Sequence, residues 1–558
     1  MQACQVVIER LRAQGVTDIF GLDGDHVVTL FNALADAPEI RVVTVRHENA
    51  AAFAAEVYGR LTGKPGVVIT TAGPGATNAI TGVAGAYAAG APLVHISGGV
   101  SRDAAKEAFH GVDDPLFLQQ LFAPVTKWSV RVEDPNDVAS VLDRAFALAA
   151  AGRPGPVHVE IPIDVLPLEA DQPTPWAGPD DAARADDTRL AALAERLNDA
   201  SRVVLIAGKN GLWPQVGEQL ERLAEQLGAP VAHTWDGHGA FPTVHPLSIG
   251  VWGSSARSHP YALEVVSGAD LVLAVGVRRD TEAAQELTAQ VGERAEFLDA
   301  ADVVGDGEPW LELGSVDALA GALAALSERV AERPEDAELL AYCARAREMQ
   351  QLGIDIDLER HADDRPFHIG QALDALARRM SPELVVISDV SNVKLWTPVQ
   401  LPTLNVTSHM QSGSWGSMGY TIPGVLGAAV ARPDKKVVGL VGDTSFLMAS
   451  SDFSTICDLG LPVVIAVHAD GQIGMIHYAL TQQFGRAYAT EIGEVDFVKY
   501  AEAFGARGIR VDEPVQLDAA WDAALAADGP VLLELRAGHD YPRPWPVSRL
   551  VRQGESMG

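Results

Sequence analysis

Three observations on this sequence predict an α/β chain of three doubly wound parallel-sheet domains. Short apolar runs that close on glycine, aspartate or hydroxyl residues alternate with longer small-residue or amphipathic stretches of helical period. At 558 residues the chain exceeds what one hydrophobic core fills, and about three domains is the natural division. Two stretches, the Pro- and Asp-rich 166–188 and the charged 328–364, interrupt the alternation where linkers are needed.

The first unit, 1–165, opens with a helix at 3–14, a strand at 18–20 and the turn Gly21-Leu22-Asp23-Gly24-Asp25-His26. A strand at 41–45 runs into Arg46-His47-Glu48-Asn49 and a small-residue helix over 50–62. The strand 66–70 ends in Thr71-Ala72-Gly73-Pro74-Gly75-Ala76-Thr77-Asn78, which opens another helix, and the strand 92–97 ends at Gly98-Gly99. Four strands that each end in a polar or glycine-rich turn make a sheet with one ligand-binding edge. The second unit, 186–330, has strands at 202–207, 230–233 and 270–275 around a helix at 216–227. It has no G-x-G-x-x-G, and Gly208-Lys209-Asn210-Gly211 is too weak a pattern for a nucleotide site.

The third unit, 360–540, begins at the strand 384–388 and carries the most informative stretch. An apolar run at 437–441 breaks at Gly442-Asp443-Thr444-Ser445, and after a crossover a second run at 462–467 ends at Ala469-Asp470-Gly471-Gln472. Two neighbouring strand ends that each close on a carboxylate suit an anion held through a divalent cation, and magnesium takes a few such oxygens plus phosphate oxygens. Gly-Asp after a strand is also ordinary turn chemistry, so the pattern alone leaves both readings open. The last residues, 541–558, are proline-stiffened and basic, and are expected either to lie as a lid over the substrate cleft or to form a plain ordered tail.

Composition narrows the function class. Lys plus Arg number 42 against 74 Asp plus Glu, a net charge of −32, which argues against nucleic acid or an anionic membrane as partner. Cys4, Cys343 and Cys457 are scattered without a CxxC, which fits a reducing cytoplasm and neither a disulfide framework nor a zinc site. The N-terminal stretch has Glu and Arg inside an amphipathic helix, unlike a signal peptide, and no apolar run is long enough to predict a membrane span.

Four features fall in a fixed order: Glu48 after a strand, the Gly73-Pro74-Gly75…Asn78 turn, Gly413-Ser414-Trp415-Gly416-Ser417-Met418-Gly419, and Asp443…Asp470. Together they resemble the thiamin-diphosphate-dependent decarboxylase and acetolactate-synthase-like superfamily. The resemblance covers nearly the whole chain and includes Gly152-Arg153-Pro154-Gly155-Pro156-Val157 before the first linker and Asp496-Phe497…Ala503-Phe504-Gly505 near the end. It implies three domains of the thiamin-diphosphate-binding fold: a pyrimidine-binding unit, a central unit and a diphosphate-binding unit. It also implies carbon–carbon bond cleavage or formation on 2-oxo acids, by a decarboxylase or an acyloin-forming carboligase. The alternatives are a 2-hydroxyacyl-CoA lyase or a benzaldehyde-lyase-like acyloin lyase and, in another class, a non-catalytic scaffold subunit.

The same resemblance assigns residues. Glu48 would hydrogen-bond the pyrimidine N1′ and share a proton with it, beside Gly73, Pro74 and Asn78. Met418 would wedge the cofactor into its bent shape, with the Gly416 and Met418 carbonyls at the pyrimidine. Asp443, Asp470 and the Gln472 carbonyl would hold Mg2+, with Ser391, Asn392, Thr444 and Ser445 near the diphosphate and Met475 also at the cofactor. Aspartate at 470 departs from the family's usual asparagine and adds a negative charge there. On the substrate side stand Asp25, His26, His110 and His477, of which a histidine suits acid–base work near neutrality. FAD is not expected, since Arg278-Arg279-Asp280-Thr281 keeps only a fragment of the flavin pattern and Trp252-Gly253-Ser254-Ser255 replaces its usual turn. The implied assembly is a homodimer or homotetramer with the active site at the dimer interface, so that Glu48 serves a cofactor held by a second copy.

Overall fold

The computed structural model describes residues 1–171, 187–253, 259–301 and 310–538, so the expected lid at 541–558 lies outside the described residues. The chain forms three six-stranded sheets, every pair in them parallel. The first contains β1 (Asp18–Gly21), β2 (Arg41–Thr44), β3 (Gly66–Thr70), β4 (Leu93–Gly99), β5 (Trp128–Arg131) and β6 (Pro156–Pro162), in the order β2-β1-β3-β4-β6-β5. The second contains β7 (Val203–Ala207), β8 (Val231–His233), β9 (Ser248–Val251), β10 (Leu271–Val275), β11 (Ala295–Ala300) and β12 (Trp310–Leu313), in the order β12-β11-β10-β7-β8-β9. The third contains β13 (Leu384–Ser388), β14 (His409–Gln411), β15 (Lys436–Gly442), β16 (Val463–His468), β17 (Arg507–Val511) and β18 (Val531–Leu535), in the order β14-β13-β15-β16-β18-β17.

The first sheet has six strands where the sequence predicts four. Its missed members, β5 and β6, do not read as apolar: β5 is a half-buried edge, and β6 buries His158 and Glu160. His158 is satisfied by the hydroxyls of Ser97 and Ser129, each at 2.9 Å, while Glu160 pairs with Arg131 through Oε1 and keeps Oε2 buried without a partner, so that burial pushes its carboxyl up to about 7. In the second unit β9, β11 and β12 were likewise not predicted. The region 328–364 holds a helix, Ala337–Arg360, capped by the Asp336 side chain on the N–H groups of Glu338 and Leu339.

The helix predicted at 50–62 begins earlier, at Glu48, and runs Glu48–Thr62. His47 caps its start, and Gly63 at φ 71° ends it in the left-handed conformation glycine permits. Its alanine face packs on the helix Thr421–Ala431 of the third unit: a Cβ on Gly427 would stand 2.1 Å from the Ala54 carbonyl oxygen. Around that contact one apolar core, with Phe53, Val57, Ile422, Val425 and Leu426, runs through both units. Among the described residues no helix is long and apolar enough to cross a membrane.

Candidate active site

The predicted residues gather at two places, both at carboxyl ends of strands. In the first unit Glu48 sits buried at the first helical position after β2. Asn78 Nδ2 donates to Glu48 Oε2 at 2.9 Å. Asn78 is there because Gly73, at φ 56°, turns the chain after β3 and Pro74 opens the helix Pro74–Ala89. A Cβ on Gly75 would lie 3.2 Å from Glu48 Oε1 and 2.7 Å from Thr71 Cγ2, so glycine keeps the space beside the carboxyl open.

His26 and His110 meet on the same edge. His26 is buried in a 3-10 turn, Asp25–Val27, and its backbone N–H donates to Thr71 Oγ1 at 3.3 Å. Its ring stacks on His110 at 5.1 Å between centroids, and Phe109 lies 6.1 Å away. His110 holds φ 63°, and its carbonyl approaches Gly73 so closely that a Cβ there would stand 2.4 Å from it. Burial first, and the neighbouring His110 second, push the His26 imidazole below its ordinary value. Both Nδ1 atoms are buried without a partner. Asp25 is exposed beside His26, and its charge counters part of that shift. His477 sits elsewhere, on the helix Gly474–Phe484, with Nδ1 hydrogen-bonded to Thr490 Oγ1 at 3.0 Å.

The second place is a cavity of the third unit. It is lined by Ser391, Asn392, Met418, Asp443, Thr444, Ser445, Asp470, Gln472 and Met475 among others, and by no residue of the first unit. Asp443 directly follows β15 and Asp470 follows β16. The Asp443 carboxylate accepts from Thr444 N and Gly471 N, each at 2.6 Å, and Asp470 Oδ1 accepts from Gln472 N at 3.2 Å. Burial, then the charge of Asp470, raise the Asp443 carboxyl above its ordinary value. A cation held between them would reverse that penalty. Ser391 Oγ, Asn392 Oδ1 and Gln472 Oε1 are buried without a partner, and the helices Asn392–Gln400 and Gly474–Phe484 both begin at this cavity. Carboxylates for a metal, orphaned polar atoms and helix N-termini fit an anionic group bound through a divalent ion. Gly416, at φ 63°, lies on an exposed turn next to Met418 and does not line the cavity.

Asp389, which the sequence reading passed over, organises this edge. Fully buried, it accepts from Val390 N at 2.7 Å and from Thr421 N at 2.9 Å, and burial pushes its carboxyl up to about 6. Its signal was available: it closes the apolar run of β13 as Asp443 closes that of β15. Thr71, which supports both His26 and Gly75, gave none.

Models described as the N-terminal, central and C-terminal domains of thiamine pyrophosphate enzymes match residues 1–119, 190–301 and 389–535. The chain belongs to this family, the thiamin-diphosphate-dependent, acetolactate-synthase-like superfamily. Among its relatives are a probable acetolactate synthase large subunit of Methanocaldococcus jannaschii, 30% identical over 96% of this chain and 92% of that protein, and the acetolactate synthase of Bacillus subtilis, 30% identical over 96% and 93%. The chloroplastic acetolactate synthase 2 of Nicotiana tabacum is 32% identical over 96% of this chain and 82% of its own length.

Proposed function

We propose that this chain is a thiamin-diphosphate- and magnesium-dependent carboligase acting on 2-oxo acids, in the manner of the acetolactate synthases it is similar to. The observation that carries the reading is the pairing of a buried Glu48–Asn78 contact on one sheet edge with the Asp443–Asp470–Gln472 cavity on another. When bound, the cofactor supplies a nucleophilic carbon that takes up and passes on an acyl unit. Asp443, Asp470 and the Gln472 carbonyl hold Mg2+, while Ser391, Asn392, Thr444 and Ser445 bind the diphosphate. Met418 and the Gly416 carbonyl orient the pyrimidine. Asn78 occupies Glu48 Oε2, which leaves Oε1, on the open side made by Gly75, to hold and return the proton of a ring nitrogen.

Because no first-unit residue lines the Asp443 cavity, the reading joins Glu48 of one copy to the cavity of a second, in a homodimer or larger homo-oligomer. The helix Gly474–Phe484, which buries none of its residues and has Ile476 and Phe484 more than half exposed, supplies an apolar face for that junction. No flavin is part of the reading: Arg278 is held by Asp280 at the middle sheet's edge, and an absorption spectrum of the purified protein tests this.

A second reading, a lyase that cleaves beside a hydroxyl, is favoured by the stacked His26 and His110, since a neutral imidazole can take the hydroxyl proton. Isothermal titration of thiamin diphosphate with magnesium into the wild type and Glu48→Gln, followed by pyruvate turnover, separates these. The expected result is binding to both proteins, with turnover in Glu48→Gln lower by roughly 10²–10⁴-fold, the usual worth of a positioned acid–base group. Binding without pyruvate turnover by the wild type moves the assignment to the lyase, and no binding removes both readings.

A further inference from the structure

The helix that begins at Glu48 carries a pair of ionic side chains two turns further on. Glu56 is buried and Arg60, one helical turn on, keeps only 11% of its side chain exposed; both touch the third unit. Arg60 Nη1 donates to Glu56 Oε1 at 3.1 Å, to the Gln411 carbonyl at 3.2 Å and to the Tyr420 hydroxyl at 3.4 Å. The Tyr420 hydroxyl in turn donates to Glu56 Oε2 at 2.7 Å. Both carboxylate oxygens are therefore used.

An apolar pair of similar volume would fill this space at least as well, so packing alone does not account for buried charges here. What the pair does is fix the two ends of one segment, Gln411 and Tyr420. Between them lie Gly413, Gly416 and Gly419, with φ of 58°, 63° and 79°. Three glycines in the left-handed region leave such a segment little stiffness of its own. The turn Gly413–Trp415 contributes no buried residue, and Trp415 is 46% exposed. One other tie within it is the Lys394 ammonium on the Gly413 carbonyl at 3.1 Å.

We propose that Glu56 and Arg60 are positioning residues: a buried clamp, closed by Tyr420, that sets the shape in which the 411–420 segment presents Gly416 and Met418 to the cofactor. The proposal rests on the cofactor reading of Gly416 and Met418 given above. It makes one helix serve two purposes, with the proton-holding carboxyl at its first residue and the clamp in its second half.

The test uses the full-length protein as Tyr420→Phe and Arg60→Lys, with Leu220→Ala, in the core of the middle unit, as a control for general loss of stability. Tyr420→Phe keeps the ring, which packs edge-on against Phe53 at 5.4 Å, and so preserves the fold if Arg60→Lys does not. Hydrogen exchange of the 411–420 amides is measured without cofactor, and the thiamin diphosphate Kd is measured with magnesium. The expected result is about tenfold faster exchange and about tenfold weaker binding in the clamp variants, the worth of one hydrogen bond to a charged group, with the pyruvate KM unchanged. Leu220→Ala lowers Tm and moves neither quantity. Unchanged exchange in the clamp variants, or an equal loss of affinity in Leu220→Ala, overturns the clamp. A wild type that binds no thiamin diphosphate overturns the reading of Gly416 and Met418, and the exchange result still decides whether the segment is clamped.

Discussion

The first and third sheets have one topology and opposite edges. Numbered within each unit, both run 2-1-3-4-6-5, and the helix after the second strand of one packs on the helix after the second strand of the other. The middle sheet runs 3-2-1-4-5-6, the dinucleotide-fold order, and is a different object. Yet the first unit's edge offers a single buried carboxyl, glycines and stacked histidines, while the third unit's offers Asp389, Asp443 and Asp470. Topology decides where a ligand lies, and the few residues after each strand decide which part of it is held.

Breaking one edge should therefore cost something different from breaking the other. Asp443→Ala should weaken magnesium-supported thiamin diphosphate binding by about 100-fold or more, because it removes a metal ligand. Titration beside Glu48→Gln, which keeps binding, checks this, and equal affinities in the two variants would erase the division of labour.

Next in size is an effect on stability. His409, beside Ser388 at 2.9 Å in the third unit, is driven by burial down to about 3. An imidazole held neutral in the fold but ready to protonate when unfolded lets the unfolded state bind more protons below about pH 6.5. Stability from this group is thus whole at neutral pH and falls with pH through that window, by about 3 kcal/mol at pH 4. His409→Asn should remove that much of the difference between pH 7 and pH 4 in urea unfolding. His95, beside Thr70 in the first unit and also held to about 3, should behave alike.

Gly427→Ala attacks the contact that joins the two units. With a Cβ only 2.1 Å from the Ala54 carbonyl, the helices must separate, at roughly 1–3 kcal/mol, seen as a lower Tm. The smallest effect expected is from Asp470→Asn. Removing one charge beside Asp443 should tighten thiamin diphosphate binding several-fold and lessen its dependence on magnesium concentration, on the order of 1 kcal/mol. Weaker binding in that variant would mean that Asp470 is needed as a charged ligand.

Much of this comparison was legible before any coordinates. The strands ending at Thr70, Ser388, Gly442 and His468 are apolar on both faces, and a buried parallel strand has no other way to read. Asp443 and Asp470 stand within two residues of such strand ends, and Asn78 lies in the helix that the turn after Thr70 opens, which made them visible; Glu48 follows the half-exposed β2. Strand β6 was hidden because its charge is neutralised by a partner 29 residues away, Arg131, and pairing at that distance leaves no local pattern. The clamp was hidden for the same reason: Glu56 and Arg60 have ordinary i,i+4 spacing, and the residue that closes over them, Tyr420, is 360 residues from Arg60.

The separation of the Glu48 contact from the Asp443 cavity bears on how the protein behaves genetically. On the two-copy reading, Glu48→Gln damages the site a subunit helps its neighbour to build, and Asp443→Ala damages the site it holds itself. When the two inactive chains are co-expressed, a mixed pair collects both lesions in one site and leaves the other whole. Two loss-of-function alleles would thus complement each other, and two alleles with lesions on the same sheet edge would not.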